Sequence, residues 1–399
     1  MDQVADFEQM WRDLTPIGRS ASSGGYFRQP WHAAELELRA WFREAATARG
    51  LEIEEDPFGN LVAWWGPAAD FAATGKILTG SHLDSVLDGG AYDGPLGVVS
   101  SFAALDLMRS RGVQPDRRLG VAAFVEEEGS RFGRACLGSR LAVGATTWAD
   151  AAELTDRDGV RLGDVIEGGT STLLDGVATY VELHVEQGRG LIELDAPVGV
   201  HSAIWPHGRY RYDIAGRADH AGTTRMEDRV DPMLTYAMTA LAANKQARVQ
   251  GQRATFGRID VRPNGTNAVP SHVTAWLDAR AESDAALESL VAAVEKQAVE
   301  RAERDGTTVT VTAESVSGEV AFDPALRDEL AGRLGGVPVL PTQAGHDAGI
   351  LQDAGIPTAM LFVRNPSGVS HSPFETAETA DCLAGVEALA DALTGLVTR

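Results

Sequence analysis

The sequence predicts an α/β protein whose mostly parallel sheet is covered by helices on both faces, with a ferredoxin-like α+β domain inserted into it. Two observations support this fold class. Short, continuous apolar runs alternate with helical patterns over most of the chain, which is typical of parallel strands buried on both faces. Between about residues 208 and 320 the pattern changes to half-exposed strands and two longer helices.

The elements of the larger domain follow from the spacing of apolar residues. WHAAELELRAWFREAATARG (31–50) has apolar residues at three- and four-residue intervals and ends on Gly50, so it predicts an amphipathic helix. Two further stretches, GVVSSFAALDLMRSRG (97–112) and DCLAGVEALADALTGLV (381–397), predict helices that cover the sheet. Three continuous apolar runs predict buried strands: KILTGSH (76–82), RLGVAAFVEEEG (118–129) and TAMLFVRNPSGVSH (358–371).

The inserted segment predicts the order β-α-β-β-α-β, which is the ferredoxin-like split unit. Its strands and helices are predicted, in order, from RYRYDIAGRAD, DPMLTYAMTALAANKQARV, TFGRIDVRPNGTNAVPSHVTAWLDARA, DAALESLVAAVEKQAVERAERDG and TTVTVTAESVSG. We therefore expect a discontinuous domain at 1–207 and 321–399 and an inserted domain at 208–320.

Composition narrows the partners of the chain. A formal net charge of −22 over 399 residues argues against nucleic acid and anionic membranes, which both attract clustered positive charge, so a small molecule is the expected ligand. The sequence has no run of 18 apolar residues, and MDQVADFEQMWRDL does not resemble a signal peptide. The two cysteines, Cys136 and Cys382, predict neither a disulfide framework nor a thiolate metal site, and they favour a cytoplasmic location.

Several predicted strands end in residues that bind metals. In open α/β sheets the carboxyl ends of the strands border one crevice, so these residues are expected to converge there. Imidazole and carboxylate together suit Zn, Mn or Co. The residues are His82 and Asp84, the run Glu126 to Glu128, His184 and His371.

Three histidines and several acids exceed the needs of one tetrahedral ion. Two ions that share a carboxylate would use them all. Asp93, in a glycine-flanked loop, is best placed to bridge such a pair.

Each feature also has a plainer interpretation. A histidine at a strand end is more often a structural hydrogen-bonding residue, and an acidic run such as Glu126 to Glu128 is usually solvated. Asp84 and Asp88 both suit turns, and for Asp88 the turn interpretation is preferred. The GHD stretch at 345–347 is open between a loop and a group that supports the site. The sequence contains neither G-x-S-x-G nor a P-loop, so serine hydrolases and nucleotide-binding proteins lack support.

Seven motifs, in the family's order, resemble the hydantoinase/carbamoylase branch of the M20 metallopeptidase superfamily, which contains N-carbamoyl-L-amino acid hydrolases, allantoate amidohydrolases and β-ureidopropionases. The resemblance spans nearly the whole chain and implies a zinc-exopeptidase-like fold with a lid and dimerisation domain. The motifs are GSHLDSVLDGGAYDG, EEEGSRF, ELHVEQG, GRADHAGTTRMEDRVDP, PNGTNAVPSHVTAWLDAR, AGHDAG and GVSHSP.

This resemblance implies roles for individual residues of the larger domain. It implies two divalent ions per subunit, Zn²⁺ or Mn²⁺ with Co²⁺ or Ni²⁺ as further options. Glu127 would be the general base, Asp84 would orient His82, and Gln187 would contact the substrate. The implied metal ligands are His82, Asp93, Glu128, His184 and His371, with Asp93 bridging.

The resemblance also implies roles within the inserted domain. His220 in ADHAG would reach the site of a neighbouring subunit and stabilise an oxyanion. Asn267 and Arg280 would hold the carboxylate of the substrate, although a surface ion pair with Asp278 is the plainer interpretation of Arg280. Arg225 stands where the family usually has proline.

The loop FVRNPSG also differs from the family pattern, so Arg364 and Asn365 bear on substrate selection. The expected activity is cleavage of an N-carbamoyl C–N bond in a carboxylate-bearing substrate. The alternatives are a dipeptidase or aminoacylase of the same superfamily and, with less support, a metal-binding scaffold without catalysis.

Overall fold

The computed structural model describes residues 3–66 and 75–398, so residues 1, 2, 67–74 and 399 of the predicted domains lie outside the described residues. The chain forms two compact units. Unit 1 combines Met1–Ile204 with Ala321–Arg399, and unit 2 is Trp205–Val320. Within the described residues, no helix is long and apolar enough to cross a membrane.

The described residues of unit 1 form nine strands and nine α-helices. Its strands are β1 (Glu52–Glu55), β2 (Leu61–Trp65), β3 (Lys76–His82), β4 (Leu119–Phe124), β5 (Val177–Val185), β6 (Val198–Ile204), β13 (Val320–Ala321), β14 (Val339–Thr342) and β15 (Thr358–Val363). Its helices are α1 (Gln3–Leu14), α2 (Ala33–Ala48), α3 (Pro95–Ser110), α4 (Leu137–Ala142), α5 (Trp148–Ala152), α6 (Gly190–Glu193), α9 (Pro324–Arg333), α10 (Asp347–Asp353) and α11 (Thr379–Val397).

The nine strands form one sheet in the order β1-β2-β4-β3-β5-β15-β6-β13, with β14 beside β6. The block β4-β3-β5-β15 is parallel, as predicted for the sheet. The flanking strands β2 and β6 run antiparallel to this block, and β1 runs antiparallel to β2. Because the four central strands are parallel, their carboxyl ends meet at one edge of the sheet.

Burial of apolar side chains fixes this sheet between helices. All six residues of β4 and all six of β15 are buried. The helices α3 and α11 contribute long apolar faces to the same core, including the fully buried Phe102 and Leu393. Each such side chain contributes roughly 1.5–3 kcal/mol when it leaves water, so the central strands form a rigid base for the residues at their ends.

Unit 2 has the predicted β-α-β-β-α-β order, with two short additional strands. Its four-stranded antiparallel sheet has the order β12-β7-β11-β9, and residues of β7 and β11 alternate between buried and half-buried or exposed positions, as expected when one face packs on helices. Its elements are β7 (His207–Ala215), β8 (Asp219–His220), α7 (Pro232–Gln250), β9 (Arg253–Arg262), β10 (Ala268–Val269), β11 (His272–Arg280), α8 (Asp284–Asp305) and β12 (Thr308–Ser317).

Candidate metal centre

Two buried histidines lie side by side at the carboxyl edge of the parallel block. His82 is the last residue of β3, and His184 is the penultimate residue of the neighbouring strand β5. Both are fully buried, and their rings are stacked with centroids 5.8 Å apart. The sheet therefore places two imidazoles of distant sequence position next to each other.

Hydrogen bonds define which ring nitrogen of each histidine is available. Nδ1 of His82 lies 3.2 Å from the backbone carbonyl of Asp84, and Nδ1 of His184 lies 2.9 Å from the carbonyl of Val185. A carbonyl only accepts, so both Nδ1 atoms donate, and Nε2 of His184 accepts the backbone N–H of Gly94 at 3.1 Å. Nε2 of His82 is buried and has no hydrogen-bond partner among the described residues, as expected of a metal-binding nitrogen.

Asp93 faces both histidines from the loop between β3 and α3. Its Oδ1 lies 3.2 Å from Nε2 of His184 and 3.7 Å from Nε2 of His82. The loop reaches this position through Gly94, whose φ of 83° suits glycine and whose missing Cβ would overlap the ring of His82. We call His82, Asp93 and His184 the first ligand group; their donor atoms all lie within 4.8 Å of one another.

The other oxygen of Asp93 faces a second cluster. Oδ2 of Asp93 lies 3.5 Å from Nε2 of His371, and Oε2 of Glu128 lies 3.3 Å from the same nitrogen. Oε1 of Glu128 is buried and has no hydrogen-bond partner among the described residues. We call Asp93, Glu128 and His371 the second ligand group, which also fits within 4.8 Å, so the two groups share Asp93.

The acidic run after β4 is not a solvated surface feature. Glu126 is fully buried, and its Oε1 accepts hydrogen bonds from the backbone N–H groups of Arg131 and Phe132. Glu127, at 5% exposure, instead faces the metal ligands, with Oε2 3.6 Å from Nε2 of His82. Its Oε1 accepts a hydrogen bond from the thiol of Cys136 at 3.3 Å.

Asp84 ties the end of β3 to this acidic run. Its carboxylate accepts the backbone N–H groups of Glu127 and Glu128, each at 3.2 Å, and lies 3.5 Å from Nδ1 of His82. The nearest acceptor for that nitrogen is the backbone carbonyl of Asp84, not its carboxylate. Asp88, by contrast, lies in a turn with a φ of 57°.

The electrostatics of the cluster favour a cation. Burial raises the pKa of Glu127 to about 7, and burial together with the charge of Asp93 raises the pKa of Glu128 well above its usual range. Glu127 and Glu128 contact imidazoles and a thiol, Asp93 accepts from an amide and a hydroxyl, and Asp84 accepts backbone N–H groups. Imidazole nitrogens and buried carboxylates with unpartnered atoms are a donor set that fits divalent metal ions.

Gln187 lies against the shared aspartate. Its Nε2 donates to Oδ2 of Asp93 at 2.9 Å and to the hydroxyl of Ser370 at 3.2 Å, and it lies 3.5 Å from Nε2 of His371. Its Oε1 is buried without a hydrogen-bond partner among the described residues. The side chain thus presents an open acceptor next to the second ligand group.

A third cluster was not predicted from the sequence. Glu182, His184 and His346 also bring their donor atoms within 4.8 Å, and the rings of His184 and His346 have centroids 4.6 Å apart. Glu182 precedes His184 by two residues on β5, so both side chains point to the same face of the sheet, which is the signal that would have found it. The GHD stretch is buried: His346 is 4% exposed and Asp347 is fully buried.

Two of the three predicted residues of the inserted domain lie together in unit 2. The ladder between β8 and β10 pairs His220 with Ala268, and the backbone of Asn267 accepts the N–H of Ala221 at 3.0 Å. Nδ1 of His220 accepts the N–H groups of Gly222 and Thr223. The neutral ring therefore carries its proton on Nε2, which makes that atom a hydrogen-bond donor.

Arg280 lies at the other end of the unit 2 sheet. It is the last residue of β11, in register with His207, whereas β8 and β10 form a separate two-stranded sheet next to the other end of β11, which begins at His272. A nine-residue strand spans about 27 Å, so unit 2 does not bring Arg280 together with His220. The Arg280 guanidinium contacts Asp278, with Nε 2.8 Å from Oδ1.

The residues that depart from the family pattern have structural partners. Arg364 forms a two-pronged ion pair with Asp381 at 2.8 and 3.0 Å. Asn365 is fully buried and donates to the carbonyl of Val369, so it shapes the loop that leads to His371. Arg225 is highly exposed and directly precedes the 3₁₀ turn Met226–Asp228.

Comparison with known proteins relates the chain to amidohydrolases. The chain is 35% identical over 400 residues to an N-carbamoyl-L-amino acid amidohydrolase of Geobacillus stearothermophilus, with 96% of each chain covered. It is 30% identical to the allantoate amidohydrolase of Escherichia coli, with 92% of each covered. A crystal structure of a hydantoinase/carbamoylase family amidase from Burkholderia vietnamiensis superposes with a TM-score of 0.90 at 26% identity, covering 99% of this chain and 98% of that one.

A family model also matches most of the chain. Residues 78–395 match the model described as peptidase family M20/M25/M40. This span contains both ligand groups, and the match agrees with divalent metal use. The chain belongs to the M20/M25/M40 peptidase family.

Proposed function

We propose that the chain is a metal-dependent amidohydrolase that cleaves the ureido C–N bond of a carboxylate-bearing substrate and releases ammonia and carbon dioxide. The observation that carries this proposal is the pair of ligand groups that share Asp93, with the carboxylate of Glu127 beside them. The named activities of the relatives support a ureido substrate, either an N-carbamoyl-L-amino acid or allantoate.

We assign the two ligand groups to two divalent ions per subunit, Zn²⁺ or Mn²⁺ with Co²⁺ or Ni²⁺ as further options. His82 and His184 would hold one ion, Glu128 and His371 would hold the other, and Asp93 would be shared by both. Such ions make water more acidic and polarise a carbonyl when they are bound.

Glu127 is the general base in this proposal. Its Oε2 faces the first ligand group and its Oε1 is held by the thiol of Cys136, so the carboxylate is oriented before a substrate arrives. It takes a proton from the attacking water and returns it to the leaving nitrogen. Asp84 supports this step because it fixes the backbone of Glu127 and the ring of His82.

The remaining polar groups are assigned to the substrate. The open Oε1 of Gln187 suits a ureido N–H, and the Nε2–H of His220 suits the oxyanion that forms at the carbonyl carbon. Asn267 and Arg280 bind the substrate carboxylate, for which a guanidinium is the geometrically matched partner.

The separation within unit 2 supports a homodimer. One copy cannot offer both Arg280 and His220 to a small substrate, because the β11 strand between them spans about 27 Å. A second copy that supplies both His220 and Asn267, which lie together in unit 2, resolves this conflict. The helix α7 offers a surface for such an association, since Leu234, Met238 and Leu241 form a row on it with 44%, 45% and 66% exposure.

Mixing two inactive variants tests the shared site. His220→Ala and Glu127→Gln homodimers should both be inactive. A mixed dimer contains one site with an intact Glu127 and an intact His220 from the other copy. When the two variants are unfolded and refolded together, half of the dimers are mixed and each has one intact site. Up to about a quarter of wild-type activity should therefore return. No recovery, with mixed dimers demonstrated by differential tags, would contradict a site completed by the second copy.

The substrate class is tested by ammonia release from the metal-reconstituted protein. The panel should compare N-carbamoyl-L-amino acids, allantoate, N-carbamoyl-β-alanine and dipeptides. Activity on dipeptides alone would favour a dipeptidase or aminoacylase of the same family, and bound metal without hydrolysis of any substrate would favour a non-catalytic scaffold.

The cytoplasmic location stays a prediction; Cys136 and Cys382 are both buried and free.

A further inference from the structure

The two ligand groups differ in how the fold supports them. His82 and His184 of the first ligand group lie on neighbouring parallel strands in the buried sheet. Glu128 and His371 of the second ligand group lie on loops, and the ring of His371 is 50% exposed with a backbone φ of 54°. The second ligand group therefore needs something other than strand pairing to hold its donors together.

Glu375 connects the loops that carry two of these ligands. Its Oε2 accepts the backbone N–H groups of Tyr92 at 2.8 Å and Asp93 at 3.0 Å. Its Oε1 lies 3.3 Å from the hydroxyl oxygen of Ser370, the residue before His371, whose single proton is donated either to Glu375 or to Asp93. The same hydroxyl lies 3.0 Å from Oδ2 of Asp93.

The approach of this carboxylate to the Asp93 loop depends on a glycine. Glu375 is 6% exposed, so its charge is taken out of water and is compensated by the hydrogen bonds that it accepts. A Cβ at Gly90 would overlap the carboxylate of Glu375. The chain thus leaves room at Gly90 for an acid that lies 285 positions later in the sequence.

We propose that Glu375 is a positioning residue that sets the spacing of Asp93 and His371 and so determines the affinity of the second ligand group for its metal ion. It does not touch the ion or the substrate. This inference rests on the two-ion site proposed above. It implies that loss of Glu375 affects the second ligand group much more than the first, whose histidines are held by the sheet.

Metal titration of the refolded, metal-free protein tests this without an activity assay. Co²⁺ is the probe, followed by its visible absorption and by the number of ions bound per chain. His184→Ala and His371→Ala serve as references that identify which binding step belongs to which ligand group. In Glu375→Gln, the dissociation constant of the second ligand group should rise about tenfold or more, while that of the first stays within about threefold.

Two other variants change residues that lie against the carboxylate of Glu375. Gly90→Ala should displace the carboxylate and reproduce the selective loss, and Ser370→Ala should weaken the same ion to a smaller extent. Glu378→Gln is the matched control, because it removes an exposed acid three residues further along and should leave both constants unchanged. These variants carry the test if Glu375→Gln does not fold.

The outcomes separate this inference from the proposed function. If the wild-type chain binds two ions but Glu375→Gln and Gly90→Ala lose affinity equally for both ions, or lose none, the role of Glu375 is refuted and the two-ion site is not. A single ion in the wild-type chain would refute the two-ion site and the role of Glu375 with it.

Discussion

Replacement of Glu127 by glutamine isolates the proposed base from everything else at the site. Glutamine has the same shape, and its Oε1 can keep the hydrogen bond from Cys136, but its amide nitrogen cannot take up a proton. A positioned general base contributes about 100- to 10,000-fold, which corresponds to about 2.7–5.4 kcal/mol of transition-state stabilisation. Glu127→Gln should therefore lower kcat by that factor and leave KM nearly unchanged.

The neighbouring acid provides the control. Glu126→Gln makes the same chemical change one residue away, in a side chain that accepts the N–H groups of Arg131 and Phe132. Burial raises the pKa of Glu126 to about 8, so near neutral pH the amide replaces a mostly uncharged carboxyl. Its kcat should stay within about threefold of wild type. Ammonia release and metal content are measured for both variants, and a Glu127→Gln protein with two bound ions and turnover within tenfold of wild type would refute the assignment of the base.

Three further predictions concern the structure around the base. Gly94→Ala should lower the free energy of unfolding in urea by about 1–3 kcal/mol more than Gly112→Ala does. Both glycines have a positive φ, but only at Gly94 would the new Cβ overlap the ring of His82, so equal losses in the two variants would contradict this prediction. Cys136→Ala removes a weak donor from the base and should lower kcat up to about fivefold at unchanged KM, whereas Cys382→Ala should not; equal kcat values in both would remove any role for the thiol. Removal of metal with a chelator should abolish hydrolysis. It should also lower the free energy of unfolding by about 2.7 kcal/mol per ion, compared with protein in a metal concentration of 100 times Kd. If calorimetry detects no change in unfolding, a metal site that forms only in the folded state is contradicted.

Several of the candidate metal ligands could be placed at one edge of the sheet because their positions follow from local rules. Parallel strands bring their carboxyl ends together, and both His82 and His184 belong to continuous apolar runs that identify such strands. The helices and strands of unit 2 likewise followed from period-2 and helical patterns. The antiparallel strands β1, β2 and β6 were not predicted, because strand direction depends on connections and neighbours and not on the composition of the strand itself.

The supporting residues could not be predicted for the same reason. The contact between Glu375 and the N–H of Asp93 joins positions 282 residues apart. The thiol of Cys136 reaches Glu127 from the residue that directly precedes α4, where the backbone φ is 54°. No local pattern marks either residue. The resemblance implied the exact set of candidate ligands and their pairing, and it left these contacts to the tertiary structure.

The position of Asp93 explains why so many of these contacts converge on one loop. A bridging carboxylate must direct one oxygen toward each ligand group, whereas the pleat of a strand fixes a side chain on a single face of the sheet. A loop allows the required direction but does not hold it. Here Gly94 sets the turn, Glu375 holds the backbone, and Gln187 and Ser370 hold Oδ2, so that the loop is fixed from several sides. Substitutions of Glu375, Gln187 or Ser370 should therefore alter metal binding before they alter the fold.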